Sequence, residues 1–396
     1  MRSPKAVINS ELLVWARDTA GLTLDEAARR LQKRVDQVQA WENGDDQPTL
    51  VQLRQIARVY KRSFSDFYLA QAPEENPPPH DFRRLPGEVA LTYSPALRHQ
   101  LRLAQTRRTI FHELCNDLGV PIPEFGLRAS LTDDREALGP RIREFLGITL
   151  AEQQAWRDPR RAYKAWRTRI EAHGALTFQI TGVPTTEIMG FSFAFPELPV
   201  IAVNQKARPN GRTFTLLHEL VHLMLGYSGL CDIDEGMVRP AEEQEAEIFC
   251  NAVAGAALVS SADLLGFPLV RLRGAGRHEW GNDELEGIAR AFSVSEEVIL
   301  RRLLSLGRTT PAFYQRKRAE YLARYAQIDQ QAREETEEQE IRRNMPRETL
   351  SNLGPLYTRL VLESFNQDNI TLIDASRYLG LKARHISRLE DLALSE

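Results

Sequence analysis

Five residues of this chain have types and spacing suited to hydrolytic chemistry: His218, Glu219, Leu220, Val221 and His222. On an α-helix, positions i and i+4 stand one above the other on one face. His218 and His222 can therefore aim two imidazole nitrogens at one point about 2 Å from each, the geometry of a zinc site. Glu219 follows the first histidine, on the side where a metal-bound water would sit. There it can take the water's proton as the water attacks a peptide carbonyl, then return it to the leaving amine. The bland alternative is a buried, satisfied histidine pair. The flanks speak against it: Phe214, Leu216, Leu217, Leu220, Val221, Leu223, Met224 and Leu225 make the helix apolar nearly all round. Burying two imidazoles and a carboxylate there without an ion would leave costly unmatched polar groups. Zn2+ is the expected cofactor. His112-Glu113 begins the same way but has Asn116 where the second histidine would stand, and reads as an ordinary helix face.

Such a site needs a third protein ligand and an open fourth position. His222 is followed by LMLGYSGLCD, without another histidine, so the candidate lies on the next helix, EEQEAEIFCNAVAGAALV. Glu247 projects from its apolar side, whereas Glu242, Glu243 and Glu245 read as solvated first-turn charges favoured by the helix dipole. Asn251, one turn beyond Glu247, is placed to orient a ligand or to act as a helix-packing amide. Tyr227 and Arg239, from the irregular segment between the two helices, are the candidates for stabilising an oxyanion. Cys231 and Cys250 flank the site and read either as inert buried thiols or as groups that sense oxidants or hold metal.

Several elements must hold these groups in place. Residues 10–70 have the pattern of a small helical bundle: Ser10 caps a first helix, Thr23 with Glu26 forms a capping box on a second, VDQVQAWEN is a third ending at Gly44, and LVQLRQIARVY is a fourth. Residues 71–90 carry five prolines and read as a linker. Residues 94–117 are helical, and 134–173 form a helix-rich region. The period then shifts to short β-rich runs at 175–180, 187–194 and 199–204, which lead directly into the histidine helix. Residues 226–241 read as irregular. Two helices lie in 283–325, a charge-rich exposed helix or hinge in 317–349, and a small helical unit in 350–396. The predicted class is α+β and mostly helical: a zincin-like core with a small sheet at 91–315, an all-α domain at 1–70 before it, and the 316–396 helical unit after it.

The runs PVIAVNQ, RTFTLLHELVHLMLG and Glu247 to Ala254 resemble the ImmA/IrrE family of metallopeptidases, over residues 90–310. The resemblance implies that His218, His222 and Glu247 bind zinc and that Glu219 is the catalytic base. It also implies a dedicated protein substrate, often a DNA-binding repressor, cut in response to stress or mobile-element signals. Many relatives end the second helix in a proline where this chain has Ser260. Residues 1–70, through WENGDDQPTL, resemble the Xre/Cro-type helix-turn-helix. That implies Arg34, Val35, Asp36 and Gln39 at base edges of double-stranded DNA, with Lys33 or Arg54 at phosphates. Gln32 and Lys33 stand where such turns favour glycine and an apolar residue, and protein docking is the rival role. ITLIDASRYLGLKARHISRLEDL, with Gly380 at its break and Lys382, Arg384, His385 and Arg388, reads as a regulatory or dimerising bundle, or as a second nucleic-acid contact.

Composition bounds the alternatives. The chain has 396 residues, a formal net charge of -3 and 42% hydrophobic residues, as expected of a globular protein of two or three domains. No global basic excess marks a nucleic-acid binder, and no signal peptide or long apolar run is apparent. Three cysteines without C-x-x-C spacing argue against a disulfide framework, and the expected compartment is the cytoplasm. Two functional classes follow: a regulatory zinc endopeptidase, or a transcription regulator or antitoxin-like binding protein that keeps the zincin fold without proteolysis. An intact Glu219 favours the first.

Overall fold

The computed structural model describes residues 4–73, 80–81, 93–231, 241–338 and 344–395. The chain divides into two compact units, Met1–Pro78 with Gly87–Gln105 and Pro79–Pro86 with Thr106–Glu396.

The first unit is all α: α1 (Ser10–Thr19), α2 (Leu24–Leu31), α3 (Val35–Asn43) and α4 (Leu50–Tyr60), followed by a 3-10 turn at Phe64–Tyr68. Thr23 and Thr49 each form a capping box, with Glu26 and Gln52, which satisfies the first N–H groups of α2 and α4. Leu12, Leu31, Trp41, Leu53, Tyr60 and Phe67 are buried at its centre. The cap of α1 is Asn9 rather than Ser10; the Asn9 side chain accepts the Glu11 N–H at 3.0 Å, and Ser10 is the first helical residue. The boundary between the units falls inside α5 (Pro95–Leu118).

The second unit is α+β and mostly helical. The helix-rich region at 134–173 consists of three helices: α6 (Arg135–Leu146), α7 (Leu150–Trp156) and α8 (Pro159–Ala172). Gly147 in the left-handed region ends α6, Thr149 caps α7, and Asp158-Pro159 starts α8. Then come β2 (Leu176–Ile180), β3 (Gly190–Phe193), β4 (Val200–Asn204) and α9 (Pro209–Met224). The stretches read as linker and as irregular also supply strands, β1 (His80–Asp81) and β5 (Gly229–Cys231). Two and three residues are too few to show a period. The sheet order is β1-β5-β3-β4-β2. β2 runs parallel to β4, while β3 is antiparallel to both β4 and β5, so the centre is a mixed, fully buried platform.

Helix α9 lies on that platform, against β3 and β4. Every residue from Thr213 to Met224 is buried, which is why its sequence is apolar all round. Helix α8 and α10 (Ala241–Leu258) cover its other sides, and α6 packs on α10. After α11 (Ser261–Gly266), α12 (Pro268–Arg273), α13 (Asn282–Phe292) and α14 (Glu296–Ser305), the charge-rich stretch begins as α15 (Pro311–Glu338). Ser260 has a local role: it caps α11 by accepting the Asp263 N–H at 3.1 Å.

The chain closes with α16 (Met345–Leu353), α17 (Pro355–Asn366), α18 (Leu372–Leu379) and α19 (Ile386–Leu394). Helix α16 packs on β2 and α17 on α8. Tyr357 meets Phe178 of β2 edge-on, ring centres 5.7 Å apart. A buried ion pair anchors the same contact: Arg167 Nε donates to Glu171 Oε1 at 2.9 Å, Arg167 also donates to the Ser351 carbonyl, and Leu356 N–H donates to Glu171 Oε2. Among the described residues, no helix is long and apolar enough to cross a membrane.

Candidate metal centre

Helix α9 presents His218 and His222 one turn apart, and α10 brings Glu247 to them. His218 Nε2 lies 3.1 Å from His222 Nε2 and 3.5 Å from Glu247 Oε2, and His222 Nε2 lies 3.2 Å from Glu247 Oε1. All three side chains are fully buried, and one ligand atom from each falls within 4.8 Å of the others. Two imidazole nitrogens turned toward each other and toward a carboxylate, away from water, form a donor set for a metal cation. Burial, more than any neighbour, pushes the His218 pKa down to about 3, so the ring is neutral and its nitrogen is free to ligate. His218 Nδ1 lies 3.1 Å from Asn251 Oδ1. An amide oxygen can only accept, so Nδ1 carries the proton and Nε2 keeps its lone pair for the site.

Glu219 is buried beside β3. A Cβ at Gly190 would lie 2.7 Å from Glu219 Oε1 and 2.7 Å from Thr215 Cγ2. Only glycine lets the strand pass this close to the carboxylate, a requirement sequence reasoning missed. The run EIMGFSFA shows a glycine inside a strand, which is the signal for a close approach.

The position of Glu247 depends on how α10 is held. Its last carbonyls are satisfied by side chains from other elements: Arg143 donates to Ala257 O at 3.2 Å, Gln153 to Leu258 O at 2.9 Å and Arg302 to Val259 O at 2.8 Å. Arg302 is also held by both oxygens of Glu136, at 2.6 and 2.7 Å. These three residues act as a cap for the orphan carbonyls of the helix, and nothing in their local sequence marks them.

The remaining candidates lie elsewhere. Tyr227 is partly exposed just past α9, its N–H donating to His222 O at 2.9 Å. Arg239 lies outside the described residues. Cys250 is fully buried, and burial together with Glu247 and Glu219 raises its thiol pKa well above the ordinary value. It is a protonated core group, as is the buried Cys115; the Cys231 side chain is outside the description. His112 faces outward on α5 and pairs with Asn116 at 3.1 Å. In the first unit, Arg34 at the start of α3 pairs with Asp36 at 3.2 Å, Gln39 donates to Asn43 at 2.8 Å, Val35 is exposed, Lys33 is half-buried, and Arg54 lies over the Phe64 ring.

Two family models match the chain. Residues 171–304 match the IrrE N-terminal-like domain of the M78 peptidases, the span from the end of α8 to α14 that holds the whole donor set. Residues 13–67 match a helix-turn-helix, which is α1 to α4 and the turn after them. The chain is also 36% identical over 118 residues to the radiation response metalloprotease IrrE of Deinococcus deserti. That match takes in 29% of this chain and 39% of the relative's length. Together with the buried donor set, these matches support an architecture in which a helix-turn-helix precedes an ImmA/IrrE-like domain.

Proposed function

We propose that the chain is a zinc-dependent regulatory endopeptidase that cuts a specific protein, with a DNA-binding repressor as the favoured substrate class. The observation that carries this reading is the buried triangle of His218, His222 and Glu247 next to Glu219. Donors of a four-coordinate zinc ion stand about 3.3 Å apart. The separations of 3.1, 3.2 and 3.5 Å bracket that value. Two histidines and one glutamate leave a fourth position open, the pattern of catalytic zinc rather than closed structural zinc.

When bound, zinc supplies a Lewis acid and lowers the pKa of water at the open position. The chain's own residues do the rest. His218 and His222 present Nε2, Glu247 presents its carboxylate, and Asn251 holds the His218 ring in the ligating tautomer. Glu219 takes the proton of the attacking water and passes it to the leaving amine. Its burial keeps bulk water out of that transfer.

The helix-turn-helix at 13–67 would hold the enzyme at a repressor on double-stranded DNA, through Lys33, Arg34 and Gln39. A DNA-associated substrate would place this work in the cytoplasm. Coexpression of a candidate repressor with wild type or Glu219→Gln tests the reading. Cleavage by wild type alone is expected; equal cleavage by both would contradict the role of Glu219.

A further inference from the structure

We propose that α18 and α19 form a second helix-turn-helix that binds double-stranded DNA through Lys382, Arg384, Ser387 and Arg388. This does not rest on the peptidase reading; it takes the helix-turn-helix matched at 13–67 as its template.

The first argument is an internal correspondence. Thr23, Leu24, Glu26, Ala27, Arg29, Leu31, Val38, Trp41 and Glu42 recur in the same order and spacing as Thr371, Leu372, Asp374, Ala375, Arg377, Leu379, Ile386, Leu389 and Glu390. The structure gives the recurrence physical content. Thr23 and Thr371 each open an eight-residue helix with a capping box, closed by Glu26 and Asp374. Each helix ends in the left-handed region, at Gln32 with φ 56° and Gly380 with φ 61°. At the second turn the residue is glycine, which such turns favour. The matched apolar positions are buried in both: Ala27, Leu31, Val38 and Trp41 in one, Ala375, Leu379, Ile386 and Leu389 in the other. Helix α17 precedes α18 as α1 precedes α2, and α16 packs on α19.

The second argument is charge. In a helix-turn-helix, the residues at the start of the second helix face the major groove. At the first unit's positions 34–41, Arg34 is held by Asp36. The matched positions 382–389 carry Lys382, Arg384 and Arg388 and no carboxylate. Those three and Ser387 are exposed, whereas Ile386 and Leu389 point into the core. Lys382 and Arg384 sit at the 3-10 turn Ala383–His385 that leads into α19, and Arg388 sits on the first turn of α19. Three exposed cations at the start of an oriented helix complement a phosphate-flanked groove. Arg384 and Arg388 are suited to guanine edges and Lys382 to a phosphate.

The test uses the full chain and a fluorescent mixed-sequence 40-base-pair duplex, with anisotropy read from low to moderate salt. The combined Lys382→Ala, Arg384→Ala and Arg388→Ala variant should bind roughly tenfold or more weakly. Its slope of log affinity against log salt should be shallower by about one, for the phosphate contact of Lys382. These side chains are exposed, so its melting temperature should match wild type. Affinity and slope equal to wild type would overturn the proposal, as would a wild-type chain with no affinity for the duplex, which would assign this face to a protein partner. A Lys33→Ala, Arg34→Ala variant run alongside must leave the loss caused by the C-terminal changes in place; disappearance of that loss would also count against an independent second site.

Discussion

Gly190 on β3 and Glu219 on α9 approach so closely that one added methyl group would sit 2.7 Å from the glutamate oxygen. The strand and the helix are thus fitted to each other around the carboxylate assigned as the base. The same imagined Cβ would also meet the Ala202 carbonyl at 3.1 Å, so the strand cannot shift freely to relieve the clash.

Gly190→Ala should therefore cost about 1–3 kcal/mol of stability, the usual range for overpacking. It should also lower peptidase activity by displacing Glu219. Gly182→Ala is the wrong control because its φ is positive; Gly211→Ala, which meets nothing within 4 Å, serves instead. Denaturant unfolding of both variants checks this, and equal stability would remove the close approach from the account.

On the proposed reading, Asn251 would act on the metal through His218, whose Nδ1 lies 3.1 Å from its amide oxygen. Replacement by leucine, which cannot accept the Nδ1 proton, should weaken zinc binding by about 10–100-fold. Asn251→Asp, which keeps an acceptor at the same place, should restore most of it. Competition with a chromophoric chelator measures both. An equal loss in the two variants would mean that the amide only packs the helices.

The ion pair of Arg167 and Glu171 joins the C-terminal helices to β2, and the two side chains are almost completely buried. Removing one partner strands the other charge, so Glu171→Gln should destabilise the second unit by about 3–5 kcal/mol. Unfolding monitored by circular dichroism tests this. A change below about 1 kcal/mol, within the range of exposed pairs, would show that the pair does not anchor these helices.

The sequence was informative where function is carried by local spacing. His218, Glu219 and His222 are readable because four residues make one helical turn. Glu247 stood out from its neighbouring glutamates because it alone projects from the apolar side of its helix. Arg143, Gln153 and Arg302 were invisible because the carbonyls they satisfy lie far away in the chain. Gly190 was half legible: a glycine inside a β-rich run signals a close approach, but its partner exists only once β3 lies under α9. The helix-rich reading of 134–173 left its breaks unplaced, although Gly147 and Pro159 are local stop and start signals. The small strands β1 and β5 are defined by their partners rather than by any pattern of their own.

The central claim is that His218, His222 and Glu247 hold one zinc ion. Metal content of the purified full chain, measured by inductively coupled plasma mass spectrometry for wild type, His218→Ala and Glu247→Ala, tests it most directly. The account predicts one zinc per wild-type chain and a loss of most of it in both variants, with each variant shown by circular dichroism to remain folded. One equivalent of zinc retained in the folded His218→Ala variant would contradict it.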